Sequence, residues 1–282
     1  MKTLYISDLD GTLLNSKSQL SEATKKGLNK LIDTGALFSI ATARTPGTVV
    51  KIFEGVNIKL PMVLMTGALT FDMYHKRYTD IRTFSDSTTN RIIDILEENN
   101  LSTFIYTVEN HHLNVFYKGI TNALEQKFID ERTGSGYKTF YLTKDYYCLC
   151  GKIVPVLFFI MGDFNKVTKA SEIISKIPGI SSFCYRDIFD KTMGYLEIFS
   201  ESTSKADAIK KLAESLGVDR LVTFGDNLND IPMFNISDEC YAMKNAFPEV
   251  KAAATATIDS NDDDGVIKFL MERNCIDSVS GE

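Results

Sequence analysis

This chain has no excess of basic residues, no stretch long enough to cross a bilayer and no paired cysteine spacing. Of its 282 residues, 31 are Lys or Arg and 37 are Asp or Glu, a formal charge of −6 with a pI near 5.3. That balance gives no basic face for nucleic acid. The longest apolar run, Ile153 to Met161, contains Pro155 and falls well short of the roughly 20 residues a membrane helix needs. The five cysteines, at 148, 150, 184, 240 and 275, are odd in number. Cys148 and Cys150 lack the CxxC spacing of metal or redox pairs, so free thiols in a reducing cytoplasm are expected. Asp8 and Asp10 interrupt any apolar leader near the start. His111 and His112 are adjacent, which sends them to opposite faces of a strand rather than to one metal.

What is present is an ordinary mix, 44% hydrophobic and 24% charged, at a length that suggests two domains. Residues 1–83 alternate strand and helix patterns. Strands are expected over 3–7, 36–41 and 62–65, and helices over 22–33 and 47–53. The rhythm returns from Lys205, with a helix to Leu216 stopped by Gly217. Strands over 221–224, 241–243 and 255–258 and a helix over 265–273 follow. Buried strands alternating with helices predict a doubly wound parallel sheet. Residues 84–190 differ: aromatic, alternating strands are interleaved with helices in an α+β pattern. The expectation is therefore an α/β unit of residues 1–83 and 191–282, interrupted by an inserted domain over 84–190.

Chemistry concentrates at the ends of the expected strands. Asp8-Leu9-Asp10-Gly11-Thr12 places two carboxylates at the carboxyl end of a buried strand, where ligand crevices of open α/β sheets lie. Desolvating such charge is costly, so a structural sequence would avoid it. Ala41-Thr42-Ala43-Arg44 sets a hydroxyl and small residues at a second strand end, suited to phosphate oxygens. Ser204 reads as a helix N-cap. Lys205 then sits in the first turn, the wrong sign for the helix dipole, which suggests a task such as neutralising phosphate. A third strand end carries Gly225-Asp226-Asn227-Leu228-Asn229-Asp230. Leu228 there, and Asp264 and Leu270 after Asp259, occupy positions that exclude EF-hand loops.

In this order the four segments resemble the motifs of the haloacid dehalogenase superfamily. The tail, Tyr241 to Ala246, Glu249-Val250-Lys251 and Ser260 to Val266, is similar to its Cof-type phosphatases. The resemblance implies a Rossmann-like core with an inserted α/β cap, and a Mg²⁺-dependent hydrolysis of small phosphate monoesters, sugar phosphates first. It makes Asp8 the nucleophile that becomes an aspartyl phosphate, and Asp10 the acid and base. Asp8, Asp226 and the Asp10 carbonyl would bind the metal. Leu9, Asp10 and Ala43 through their N–H groups, with Thr42, Lys205 and Asn229, would hold phosphate, and Asp230 would orient its neighbours. The cap would cover the strand ends by movement about linkers near 83 and 190–200. The partner is a small phosphorylated metabolite, with no nucleic acid or membrane. Two departures stand out: Ala43 where glycine is usual, and Thr66-Gly67 where Asn-Gly is usual. The alternatives are a phosphomutase and a non-catalytic phospho-aspartate switch.

Overall fold

The computed structural model describes residues 1–134, 136–201 and 203–279, with side chains to Arg273; Cys275 lies outside the described side chains. Two compact units result, Met1–Thr79 with Ser204–Glu282, and Asp80–Thr203.

The first unit opens with β1 (Thr3–Ser7), α1 (Glu22–Asp33), β2 (Leu37–Ile40), α2 (Pro46–Ile52) and β3 (Met62–Leu64), then β4 (Leu69–Asp72) and the start of β5 (Arg77–Ile81), which runs past the boundary at Thr79. β1 is buried on both faces, Leu4 and Ile6 on one and Tyr5 on the other, as a central parallel strand must be. Ser21 caps α1 by accepting the Thr24 N–H, and Leu28, Leu31 and Ile32 form its buried stripe. Ala41 bridges Val63 in parallel beyond β2, while β3 and β4 pair antiparallel.

The second unit contains α3 (Asp86–Glu98), β6 (Phe104–Glu109), β7 (His112–Tyr117), α4 (Ala123–Arg132), β8 (Lys138–Leu142), β9 (Pro155–Asp163), α5 (Phe164–Ile174), β10 (Ile180–Arg186) and β11 (Met193–Ser200). Its six-stranded sheet runs β10-β11-β9-β6-β7-β8, antiparallel except for the parallel β7–β8 pair. One face is mainly aliphatic: Ile105, Phe158, Ile160, Leu196 and Ile198 pack with Ile92, Leu96, Val167 and Ile174 from α3 and α5. Alternation sends Phe104, Tyr106, Phe159 and Tyr195 to the other face, where Phe128 of α4 meets Phe104 and Phe159, and Phe159 stacks on Tyr195.

The chain returns through α6 (Lys205–Leu216), β12 (Arg220–Gly225), α7 (Ile231–Phe234), β13 (Glu239–Met243), α8 (Pro248–Ala253), β14 (Ala256–Ile258) and α9 (Gly265–Val279). The first unit's main sheet has the order β14-β13-β12-β1-β2, all parallel.

The expected junctions at 83/84 and 190/191 fall at 79/80 and 203/204. β11 explains the second shift: it pairs along its length with β9 and β10, so residues 191–203 go with the inserted unit. The strands β4, β5 and β8 and the short helices α7 and α8 escaped the sequence pattern. β8 is exposed at all but Lys138 and Phe140 and shows no two-residue alternation to read.

Candidate active site

Four chain segments converge at the carboxyl ends of β1, β2 and β12. Asp8 follows β1 directly, and its N–H donates to the Phe224 carbonyl of β12 (3.0 Å). Gly11 turns the chain with φ +79°, and a Cβ there would stand 2.3 Å from an Asp226 carboxylate oxygen. A side chain at position 11 is therefore excluded by space as well as by conformation. Thr12 donates its hydroxyl to Asp226 Oδ1 (2.8 Å), and the Asn245 amide donates to the Gly11 carbonyl (2.7 Å).

Ser204 caps α6 through the Asp207 N–H, which fixes Lys205 at the start of the helix. The Lys205 ammonium donates to Asp8 Oδ1 (2.6 Å) and Asp230 Oδ1 (2.8 Å), and all three side chains are buried. The other Asp230 oxygen accepts the backbone N–H groups of Asp226 and Asn227, each at 3.1 Å. Asp230 is thus committed to shaping the loop after β12 and steadying Lys205.

One carboxylate oxygen from each of Asp8, Asp226 and Asp230 lies within 4.8 Å of the others. Three carboxylates share one ammonium there, so the cluster is short of positive charge. Burial, opposed by Lys205 and reinforced by Asp230 and Asp226, pushes Asp8 up to about 7. Burial likewise raises Asp226 to about 6, against the Thr12 hydrogen bond. Burial works against the Lys205 charge, yet Asp8 and Asp230 outweigh it and its pKa rises. A hard divalent cation with oxygen ligands suits such a donor set.

Asp10 takes a different partner. Its carboxylate is half-exposed and engaged in bidentate fashion by Arg44, with Nε to Oδ2 at 2.7 Å and Nη2 to Oδ1 at 2.5 Å. Thr42 is buried beside this pair and its Oγ1 accepts the Arg44 N–H (3.2 Å). Leu9 is fully buried, with its carbonyl closing the turn to Thr12, Leu13 and Leu14. Ala43 and Asn229 are exposed, the latter on a 3-10 turn over Leu228–Asp230.

The segment after β3 is the part sequence reasoning left least defined. Met65 and Thr66 donate their N–H groups to the carbonyls of Arg44 and Thr42, and Thr66 has φ +58°. That region strains a β-branched residue and suits asparagine better, which is the physical content of the Thr66 departure. Gly67 is indispensable: a Cβ there would stand 2.2 Å from the Ser204 carbonyl, so this turn presses on the start of α6. The Thr66-Gly67 pair directly after an apolar strand is the signal that marks it.

A parallel α/β sheet thus gathers these acids at its strand ends around one buried lysine. The model of the haloacid dehalogenase-like hydrolases matches residues 5–270. The chain belongs to that family and is a hydrolase of the phosphatase class. It is 26% identical to a 5-amino-6-(5-phospho-D-ribitylamino)uracil phosphatase of Bacillus subtilis, over 96% of this chain and 97% of the relative. A second phosphatase of that organism is 27% identical, over 96% and 99%. The fold is similar to that of a haloacid dehalogenase-like hydrolase from Bacteroides thetaiotaomicron, with a TM-score of 0.78, 22% identity and coverage of 96% and 99%.

Proposed function

We propose that the protein is a Mg²⁺-dependent phosphatase of small phosphate monoesters, sugar phosphates foremost, acting through an aspartyl phosphate on Asp8. The observation that carries this reading is Asp8 itself, buried and held by Lys205 at 2.6 Å with the Asp226 carboxylate close by. An Asp8 oxygen attacks phosphorus and the ester P–O bond breaks. The departing oxygen takes a proton from Asp10. Asp10 then takes a proton from water, whose oxygen attacks the phosphoryl group and restores Asp8 with release of phosphate.

Mg²⁺ would be held by Asp8, Asp226 and the Asp10 carbonyl, and supplies charge neutralisation for the transferring phosphoryl group. Phosphate oxygens would rest on Thr42, Lys205, Asn229 and the N–H groups of Leu9, Asp10 and Ala43. The bidentate hold of Arg44 on Asp10 has to loosen before Asp10 can move a proton. The inserted unit would serve as the substrate-specificity domain. The Bacillus relative's phosphate sits on a ribityl chain, which favours phosphorylated sugars and sugar-like metabolites here.

The test is hydrolysis of p-nitrophenyl phosphate with and without Mg²⁺. Wild type is expected to require the metal, and Asp8→Asn to lose at least about 10³-fold in kcat. Equal activity in both proteins refutes the mechanism, and an isomeric phosphate product in place of inorganic phosphate makes the enzyme a mutase.

A further inference from the structure

β10 forms one edge of the second unit's sheet, and nothing in its sequence guards that edge. Natural edge strands are kept from pairing with other chains by shortness, lysine, proline or a bulge. In the first unit the edge strands β14 and β2 span three and four residues. β10 spans seven, Ile180-Ser181-Ser182-Phe183-Cys184-Tyr185-Arg186, without proline, glycine or lysine, and its register with β11 is unbroken. Its Phe183 and Tyr185 are 45% and 44% exposed, and Ile188 and Phe189 at the adjoining hairpin tip are 76% and 94% exposed.

Alternation decides which backbone groups of β10 are left over. The Glu201 N–H donates to the Gly179 carbonyl (2.8 Å) and the Asp187 N–H to the Met193 carbonyl (3.0 Å). Between these two bonds the antiparallel ladder turns the N–H and C=O groups of Ser181, Phe183 and Tyr185 towards β11. Those of Ile180, Ser182, Cys184 and Arg186 point away from the sheet. A second β10 laid antiparallel about a two-fold axis at Phe183 uses all of these. Ile180 then faces Arg186 of the second copy, and Ser182 faces its Cys184. Any other symmetric register leaves some of them without a mate. At the axis the two Phe183 side chains form a non-hydrogen-bonded pair, the closer kind, with Tyr185 of each copy diagonal to it.

Charge fits the same arrangement. Arg186 is the one charged residue of β10, and it stands opposite Ile180 rather than opposite another arginine. α5 runs antiparallel beside β10. Phe164 lies under the Arg186 guanidinium, 3.9 Å to the ring centroid, and Thr168 Oγ1 is 3.9 Å from Cys184 Sγ. One turn further on, the exposed Glu172 comes level with the Ser182–Ile180 end of β10, where Arg186 of the second copy arrives. We propose that β10 pairs with β10 of a second copy of this chain, joining two second units into one continuous sheet with reciprocal Arg186–Glu172 ion pairs. The contact is isologous, so it closes at a dimer.

Sedimentation velocity of the full chain at tens of micromolar should give a dimer, twice the 31.6 kDa chain mass. Ser182→Pro removes an outward N–H and none that β11 uses. It should raise the dimer dissociation constant at least about tenfold, since each lost bond counts twice across the axis. Ser182→Lys, which keeps the backbone, should do the same, whereas Tyr141→Lys on β8, the opposite edge, should not. Glu172→Arg should weaken the dimer, and adding Arg186→Glu should restore it. Cα atoms of a hydrogen-bonded pair stand about 5.5 Å apart, within disulfide reach. Diamide should therefore link Ser182→Cys protein to Cys184 of the second copy, giving dimers on a non-reducing gel, and C184S in that background should abolish the link. A monomer at these concentrations, a dimer that S182P and S182K leave unchanged, or links that persist in C184S overturn the pairing. A charge swap that fails to restore the dimer overturns the Arg186–Glu172 pairs.

Discussion

Among the described residues each unit buries one lysine, and the two are treated in opposite ways. Lys205 sits between Asp8 and Asp230, and their charges raise its pKa against the effect of burial. Lys138 sits among rings beside Arg132, and burial lowers it to about 8. A buried ammonium is thus an integral part of the first unit's electrostatics and an uncompensated one in the second. Burial without internal compensation costs stability, and in the Asp8–Asp226–Asp230 cluster the deficit is of positive charge.

The comparison breaks most visibly under substitution by methionine. Lys205→Met leaves Asp8 and Asp230 buried without their cation and should cost about 3–5 kcal/mol. Lys138→Met removes an unbalanced charge at similar volume and should be neutral or stabilising by about 1 kcal/mol. Urea unfolding of both proteins at neutral pH measures this, and equal losses would show that the two lysines are alike after all.

The pH dependence of stability sharpens the contrast. Asp8 and Asp226 titrate at about 7 and about 6 in the folded protein, above their ordinary 3.8. Between those limits the folded state binds more protons than the unfolded chain. Metal-free protein therefore has their full contribution below pH 3.8 and loses it as pH rises through 6 and 7. Lys138 slopes the other way. Its folded value of about 8 lies below the ordinary 10.5, so stability rises as pH climbs between the two. Urea midpoints across pH should show Mg²⁺ flattening the acidic limb and Lys138→Met flattening the alkaline one.

The smallest effect belongs to Arg44. Its pair with Asp10 is half-exposed, so Arg44→Gln should change stability by no more than about 1 kcal/mol. Freed from its bidentate partner, Asp10 should raise kcat on an alkyl phosphate severalfold. A fall in kcat would instead make Arg44 the residue that aims Asp10 at the leaving oxygen.

Most of the core was legible because its strands are short buried runs ending in chemistry. Asp8, Asp226 and Lys205 announce themselves as charges placed where folding alone would not put them. The partners of those charges were less legible. Nothing in the spacing of Asp10 and Arg44 says that they meet, or that Asp230 would divide its oxygens between a lysine and two backbone N–H groups. β8 was missed for want of alternation, and with it Lys138, whose setting depends on α4 and β6 arriving from elsewhere in the chain. No helix among the described residues is long and apolar enough to cross a membrane, in keeping with the absence of such a run in the sequence.

By itself the sequence determined the parallel architecture of the first unit, the presence of an insertion and the identity of the acids and the lysine at the strand ends. Apolar periodicity and the cost of buried charge are local properties and can be read along the chain. Only the tertiary structure decided where the insertion ends, because β11 is claimed by hydrogen bonds to β9 and β10. It alone decided that Lys205 is paired with acids and Lys138 is not. Pairing depends on which distant segments the fold brings within a few ångströms, and residue order does not specify that distance.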